Sequence, residues 1–281
     1  MSRTKQRESS YLEGPKNPAT KFMTFKNVKE KEKLKSGKEV EVFNRIALEW
    51  TEKDENGDWQ KITSELPMEF AILDKDYTMF RGFNKETNTN VYSNEVKDRN
   101  EIINIRNKNG VLFSFTLAEY FDWDRQEKKY SDKAKEVRKE LKDLNAKEHK
   151  SVYIALKENG EIKLANLQLR GMNLKGKNFD WKDPIAAKEA QENPTGFKAL
   201  TKFERDGFLY KNWIKVDSWF EEETELGTFG IADFKLGDKI TPEESDILND
   251  LDTQLQEYLD AYKSKPVEEE EEEMIENETD Y

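Results

Sequence analysis

The chain has 281 residues, of which 35% are hydrophobic and 38% charged, with no cysteine and a formal net charge of −12. The lack of cysteine excludes disulfides and thiolate metal sites and suits a reducing cytoplasm. The longest apolar run is the tetrapeptide FAIL at Phe70–Leu73, far short of a membrane span, and the polar, basic opening MSRTKQRESSYLEG does not read as a signal peptide.

The charge is unevenly spread. Of 59 acids and 47 bases, 16 acids and 2 lysines lie in residues 241–281, which leaves 43 acids against 45 bases elsewhere. The first forty residues hold eleven bases and five acids. A near-neutral body with a basic start therefore carries an acidic C-terminal arm, and such an arm can compete with an outside polyanion for a basic surface.

In chain order, residues 1–16 read as a flexible basic arm, including Arg3, Lys5 and Arg7. From Lys21 to about Leu117 the apolar period is mostly two. In EVEVFNRIALEW, Val40, Val42, Ile46, Leu48 and Trp50 share one strand face, with Asn44 an exception. Four dipeptides able to take positive φ punctuate the strands: Asn56-Gly57, Asn109-Gly110, Asn159-Gly160 and Asp206-Gly207. The last is read as a hairpin turn between ALTKFER and FLYKNWIKV. A charged helix is predicted over 131–147, capped by Ser131, with a thin stripe of Val137, Leu141 and Leu144. A second is predicted over 241–262, where Thr241, Pro242 and Glu244 form a capping box. Its stripe of Ile247, Leu248, Leu251, Leu255, Tyr258, Leu259 and Tyr262 should pack on the body. KSKP then ends the helix. The segment beyond it, PVEEEEEEMIENETDY, has almost nothing apolar to bury and repels itself, so it reads as disordered.

Chemistry-bearing motifs are sparse. There is no glycine-rich phosphate loop and no HxH or HExxH spacing for a metal. The single His149, in AKEHKS, reads as a solvated surface histidine. No enzyme activity, cofactor or metal is expected. Aromatic residues instead stand beside bases on predicted strands: Lys21, Phe22, Phe25 and Lys26; Tyr77, Phe80, Arg81 and Phe83; Tyr92, Lys97 and Arg99; Arg106 and Lys108; Tyr153 and Lys157. Single-stranded nucleic acid is held in this way, bases on aromatic faces and phosphates on Lys or Arg. The competing reading places these aromatics in a β-sheet core.

The stretches NPATKFMTFK (17–26), LPMEFAILDKDYTMFRGF (66–83), VYSNEVKD (91–98) and KSVYIALKENGEIKLANLQLRG (150–171) carry a resemblance. They resemble a family of bacteriophage single-stranded DNA-binding proteins found in crAss-like and related phages. The resemblance covers about residues 17–175. It implies an oligonucleotide-binding barrel (OB-fold) and a role in phage DNA replication in the host cytoplasm. It also gives the acidic arm a reading, since such proteins often end in an acidic segment tipped by an aromatic residue. Here Glu276, Glu278, Asp280 and Tyr281 would capture phage or host replication proteins. Fifteen disordered residues span roughly 20 Å, enough to reach a basic groove on the same body.

The expectation is thus a β-rich α+β protein with an antiparallel OB-like barrel over 17–240. A C-terminal amphipathic helix follows over 241–263 and an acidic tail over 264–281. Its expected ligand is single-stranded DNA, with no membrane partner. A virion or assembly protein with a solubilising tail, and an RNA-binding protein, are the alternatives.

Overall fold

The computed structural model describes residues 17–19, 21–33, 39–53, 59–179, 182–225 and 227–264. The basic arm, the Asn56-Gly57 turn and the acidic tail with Glu276, Glu278, Asp280 and Tyr281 lie outside the described residues.

The chain runs β1 (Phe22–Lys33), β2 (Glu39–Lys53), β3 (Trp59–Ser64), β4 (Met68–Asn84), β5 (Thr89–Ser93), β6 (Ile102–Asn107) and β7 (Gly110–Thr116). Then come α1 (Leu117–Tyr120), β8 (Trp123–Asp124), β9 (Lys129–Tyr130), α2 (Asp132–Asp143), β10 (Lys147–Glu158) and β11 (Glu161–Arg170). Last are α3 (Met172–Lys175), α4 (Pro184–Glu192), α5 (Phe197–Arg205), β12 (Asn212–Thr224), β13 (Gly227–Lys239) and α6 (Pro242–Ser264). The main sheet has the order β3-β2-β1-β11-β10-β4-β5-β6-β7, and β12 branches from β4 with β13 beside it. Among the described residues only β1 and β11 pair in parallel. The fold is therefore β-rich α+β with a mixed, mostly antiparallel sheet. Among the described residues β3 and β7 end the path without pairing to each other, so the expected closed barrel does not form.

The long β4 organises the sheet. On one side it pairs with β10 from Glu69 to Arg81; on the other its start pairs with β12 and its end with β5. Between Ile72 and Tyr77 its register against β10 shifts twice, and Asp76 takes φ +78°. Extra residues on one strand bend it, and the bend separates two cores. The larger holds Phe25, Leu48, Phe70, Ile154, Leu167, Leu200 and Phe234. The smaller holds Phe80, Ile105, Phe115, Tyr120, Val137 and Leu141. Lys75 sits in the bend, 2% exposed, with its Nζ 2.8 Å from both Asp76 and Glu204. Burial alone would depress its pKa, but the two carboxylates outweigh that and raise it. The Glu204 contact ties α5 to the bend.

The turn chemistry explains the rest. Asn159 and Gly160 both take positive φ, +52° and +81°, and join β10 to β11 as a two-residue hairpin loop. Gly110, at φ +115°, pairs with Asn107 where β6 turns into β7. The β1–β2 register shifts beside Val28, skipping Asn44; this bulge is why Asn44 interrupts the apolar alternation. The reading of Asp206-Gly207 as a hairpin turn is corrected: residues 197–205 are α5, and Gly207 ends it. The Gly207 amide donates to the Glu204 carbonyl and the Phe208 amide to Phe203, the paired bonds of a left-handed helix stop. α2 stops in the same way at Asn145, φ +54°, short of the predicted Lys147.

α6 forms as the capping box dictates. The Glu244 amide donates to Thr241 Oγ1 at 3.2 Å, and the Thr241 amide to Glu244 Oε2 at 2.9 Å. Leu248, Leu255 and Leu259 are buried, with Leu251 and Tyr258 packed beside them, whereas Ile247 is exposed. No helix among the described residues is long and apolar enough to cross a membrane.

Candidate nucleic-acid interface

Strand alternation sends Met23, Phe25, Leu167 and Leu169 into the larger core. Their neighbours Phe22, Thr24, Gln168 and Arg170 consequently face the other side. Across that face, Glu49, Thr24, Gln168 and Ser151 lie side by side in register on β2, β1, β11 and β10. One step on, Arg170 pairs with His149. The end of β4 completes the wall. Gly82 passes so close to the Asn145 backbone that any β-carbon would collide with its carbonyl. Asn145 Nδ2 also donates to the Phe83 carbonyl at 3.0 Å. Glycine at 82 thus lets β4 reach the cleft with Arg81 and Phe83 on the opposite side of the strand.

The result is a cleft of about 310 Å³. Its aromatic lining is Phe22, Trp50 and Phe83, its cationic lining Arg81, Arg170 and Lys61, and its polar lining includes Thr24, Gln168 and His149. Phe83, 39% exposed, and Arg170 stand at the mouth, Phe22, Thr24 and Arg81 are half-buried, and Trp50, His149 and Gln168 are buried. Lys21 Nζ lies 4.4 Å from the Trp50 ring centroid and is held by Glu158 at 2.6 Å.

The cleft is cationic in balance. Its one lining carboxylate among the described residues, Glu49, is bonded to Lys26 at 2.6 Å and Lys61 at 3.2 Å. Burial would raise the Glu49 pKa, but the two lysines pull it below the ordinary value. Arg81 and Arg170 make no salt bridge among the described residues, and the Arg81 Nε is buried without a hydrogen-bond partner. The expectation of a solvated His149 is corrected: the residue is 5% exposed and its pKa is lowered to about 4. Burial is the main cause, opposed by a hydrogen bond to the Lys147 carbonyl and reinforced by Arg81 and Arg170. A carbonyl can only accept, so Nδ1 carries the proton and donates to Lys147 at 2.9 Å; in the neutral ring Nε2 is an acceptor.

Of the fifteen groove residues expected from sequence, Phe22, Arg81 and Phe83 line the cleft, and Lys26 anchors its carboxylate. Phe25 and Phe80 are core residues, 5% and 0% exposed, on the strand faces opposite Phe22 and Arg81. Tyr77, Tyr92 and Tyr153 are buried, as is Arg106, and present no open face to a strand. Tyr77 and Tyr153 pack edge-to-face at 5.6 Å beneath Leu255 and Leu259 of α6, their hydroxyls donating to Asp74 and Glu95. Burial, reinforced by these carboxylates, pushes both phenols upward. Lys97 is paired with Asp74 at 2.5 Å. Lys157 is paired with Glu244 and Glu69 and lies 3.7 Å from the Trp213 ring centroid. Arg99 and Lys108 are exposed and outside the cleft. Sequence reasoning missed Trp50, Lys61, His149, Gln168 and Arg170. Gln168 and Arg170 had a signal, being the polar partners of Leu167 and Leu169 in NLQLR.

Phe22 also packs against the cluster that contains Leu255 and Leu259 of α6. Among the described residues no group of three or more acidic or histidine side chains is arranged to hold a metal ion. Comparison with family models, curated proteins and solved structures returns no match.

Proposed function

We propose that the protein binds single-stranded DNA, with the cleft between β1, β11 and the end of β4 as its central contact, and that it serves phage DNA replication as its resemblance implies. The carrying observation is a cleft in which an exposed ring, Phe83, and a half-buried one, Phe22, stand beside two arginines that make no salt bridge among the described residues. Ring faces take bases in any sequence, at about 1–3 kcal/mol per stacked base. Arg81 and Arg170 take phosphates and release counterions, which makes binding salt-dependent. The exclusion of duplex follows from size, because a cleft of about 310 Å³ admits an unstacked base but not a base pair within its helix.

The acidic segment after Pro266 is the proposed competitor for this cleft and the proposed capture arm for replication proteins. The charge split and the approach of α6 to Phe22 support that reading. Deleting the segment should tighten strand binding, most at low salt, because screening weakens an exposed ionic competitor first.

The test is a titration of labelled oligo-dT of about 30 nucleotides, long enough for several site sizes of a single-strand binder. Duplex and RNA of equal length are run beside it at two salt concentrations. Tight, salt-dependent binding to oligo-dT over duplex is expected. Binding to duplex alone, or to nothing, overturns the proposal; clear preference for RNA redirects it to RNA.

A further inference from the structure

The lining of the cleft is more specific than a stacking platform needs. Gln168 is 8% exposed, lines the cleft, and its Nε2 has no hydrogen-bond partner. An unpartnered buried amide costs free energy that an apolar side chain would not. Its last torsion is a soft sp³–sp² rotation, so a half-turn exchanges Nε2 and Oε1 in nearly the same volume. His149, paired with Arg170 one step along the sheet, lines the same cleft. Its Nδ1 is committed to the Lys147 carbonyl, which leaves Nε2 as an acceptor. A donor and an acceptor therefore belong to two buried residues lining a cavity whose mouth offers the Phe83 ring and the Arg170 guanidinium; the Gln168 amide nitrogen is itself buried and comes to a ligand by rotation of its side chain.

Nucleobases match that arrangement. Each has flat faces for Phe22 and Phe83 and a polar edge on which donor and acceptor atoms are neighbours. A sugar-phosphate attached to the outer side of the ring would leave its charge near Arg81 and Arg170. An apolar ligand would leave the amide and the imidazole unsatisfied, and a bare phosphate would leave the Phe22 and Phe83 rings unused.

We propose that this cleft takes one unstacked nucleobase edge-first and reads its polar edge through Gln168 and His149, so that at least one nucleotide of a bound strand is recognised by hydrogen bonding as well as stacking. This rests on the single-strand reading above and goes beyond it, since stacking and phosphate contacts alone require no buried polar lining.

The test compares a short all-thymidine strand with the same strand in which every thymine is replaced by its nonpolar isostere difluorotoluene. The isostere keeps the ring shape and sugar-phosphate but lacks the hydrogen-bonding edge. The wild-type protein should prefer the natural strand by about tenfold or more, the worth of one or two neutral hydrogen bonds. Gln168→Met and His149→Phe remove the polar atoms while keeping a side chain of similar shape; in either, the ratio of the two affinities should shrink severalfold. Equal affinity of the wild type for the two strands overturns edge reading but leaves single-strand binding standing, as does a preference that survives in both variants. Failure to bind either strand overturns both. If a variant does not fold, the wild-type comparison of the two strands still decides.

Discussion

Two patches on the same sheet face carry the same sequence signature and have opposite fates. At the outer ends of β1, β4 and β11, Phe22, Arg81, Phe83 and Arg170 frame an open cleft. Further along β4 and β10, Tyr77 and Tyr153 lie under α6, with Lys97 and Lys157 nearby in ion pairs. The difference comes from α6, a helix almost a hundred residues further along the chain than Tyr153, whose leucine stripe covers one patch and leaves the other open. An aromatic next to a base on a strand is thus an opportunity for binding, and a distant element decides whether it stays accessible.

The comparison breaks most sharply on stability. Phe80→Ala should cost about 3–5 kcal/mol, and Leu255→Ala about 2–5 kcal/mol, in urea unfolding, because each deletes a fully buried side chain. Phe83→Ala, at the open mouth, should change stability by no more than about 0.5 kcal/mol yet weaken oligo-dT binding by about 1–3 kcal/mol. A large stability loss at Phe83, or an unchanged affinity, would place it with the sealed aromatics.

A second contrast lies in acid. His149 has a folded pKa of about 4 against an ordinary value of 6.5. Between those values the unfolded chain binds the extra proton, so stability is fully present above pH 6.5 and falls as the pH drops toward 4. The slope from this residue is at most about 1.4 kcal/mol per pH unit. Glu95 and Glu148, whose pKa values are raised chiefly by burial, act in the opposite sense. Comparing wild type with His149→Gln isolates the histidine: the variant should lose less stability between pH 7 and pH 5. An identical loss would mean that His149 is solvated after all.

The smallest expected effect concerns the cover itself. Thr241→Ala removes the side-chain cap of α6 and should cost about 1 kcal/mol. Hydrogen exchange should rise in the first turn of α6, with oligo-dT affinity unchanged. A loss of affinity would show that the start of the helix shapes the cleft.

Much of the local structure was legible. Thr241, Pro242 and Glu244 announced α6, and Asn159-Gly160 announced the β10–β11 turn, because both signals act within a few residues. Asp206-Gly207 misled because a glycine at positive φ, +79° at Gly207, serves a helix stop as well as a hairpin. Phe25 and Phe80 were misplaced against alternation itself, since each lies an odd number of residues from its open neighbour and so faces the other way. Tyr77 and Tyr153 were beyond local reading, because α6 is what buries them. The open sheet was equally hidden: the bend at Lys75–Asp76 splits β4 between two sets of partners, and no periodicity reports it.

The most direct measurement sets the two patches against each other in one assay. The affinity of wild type, Arg81→Gln, Arg170→Gln, Lys97→Gln and Lys157→Gln for oligo-dT is measured across a range of salt. Neutralising either cleft arginine should weaken binding and lower the salt slope by about 0.7, the value for one phosphate contact on a single strand. The two lysines, held by carboxylates, should leave the slope unchanged. If the lysine variants lose slope and the arginine variants keep it, the strand does not run through the cleft and the account is contradicted.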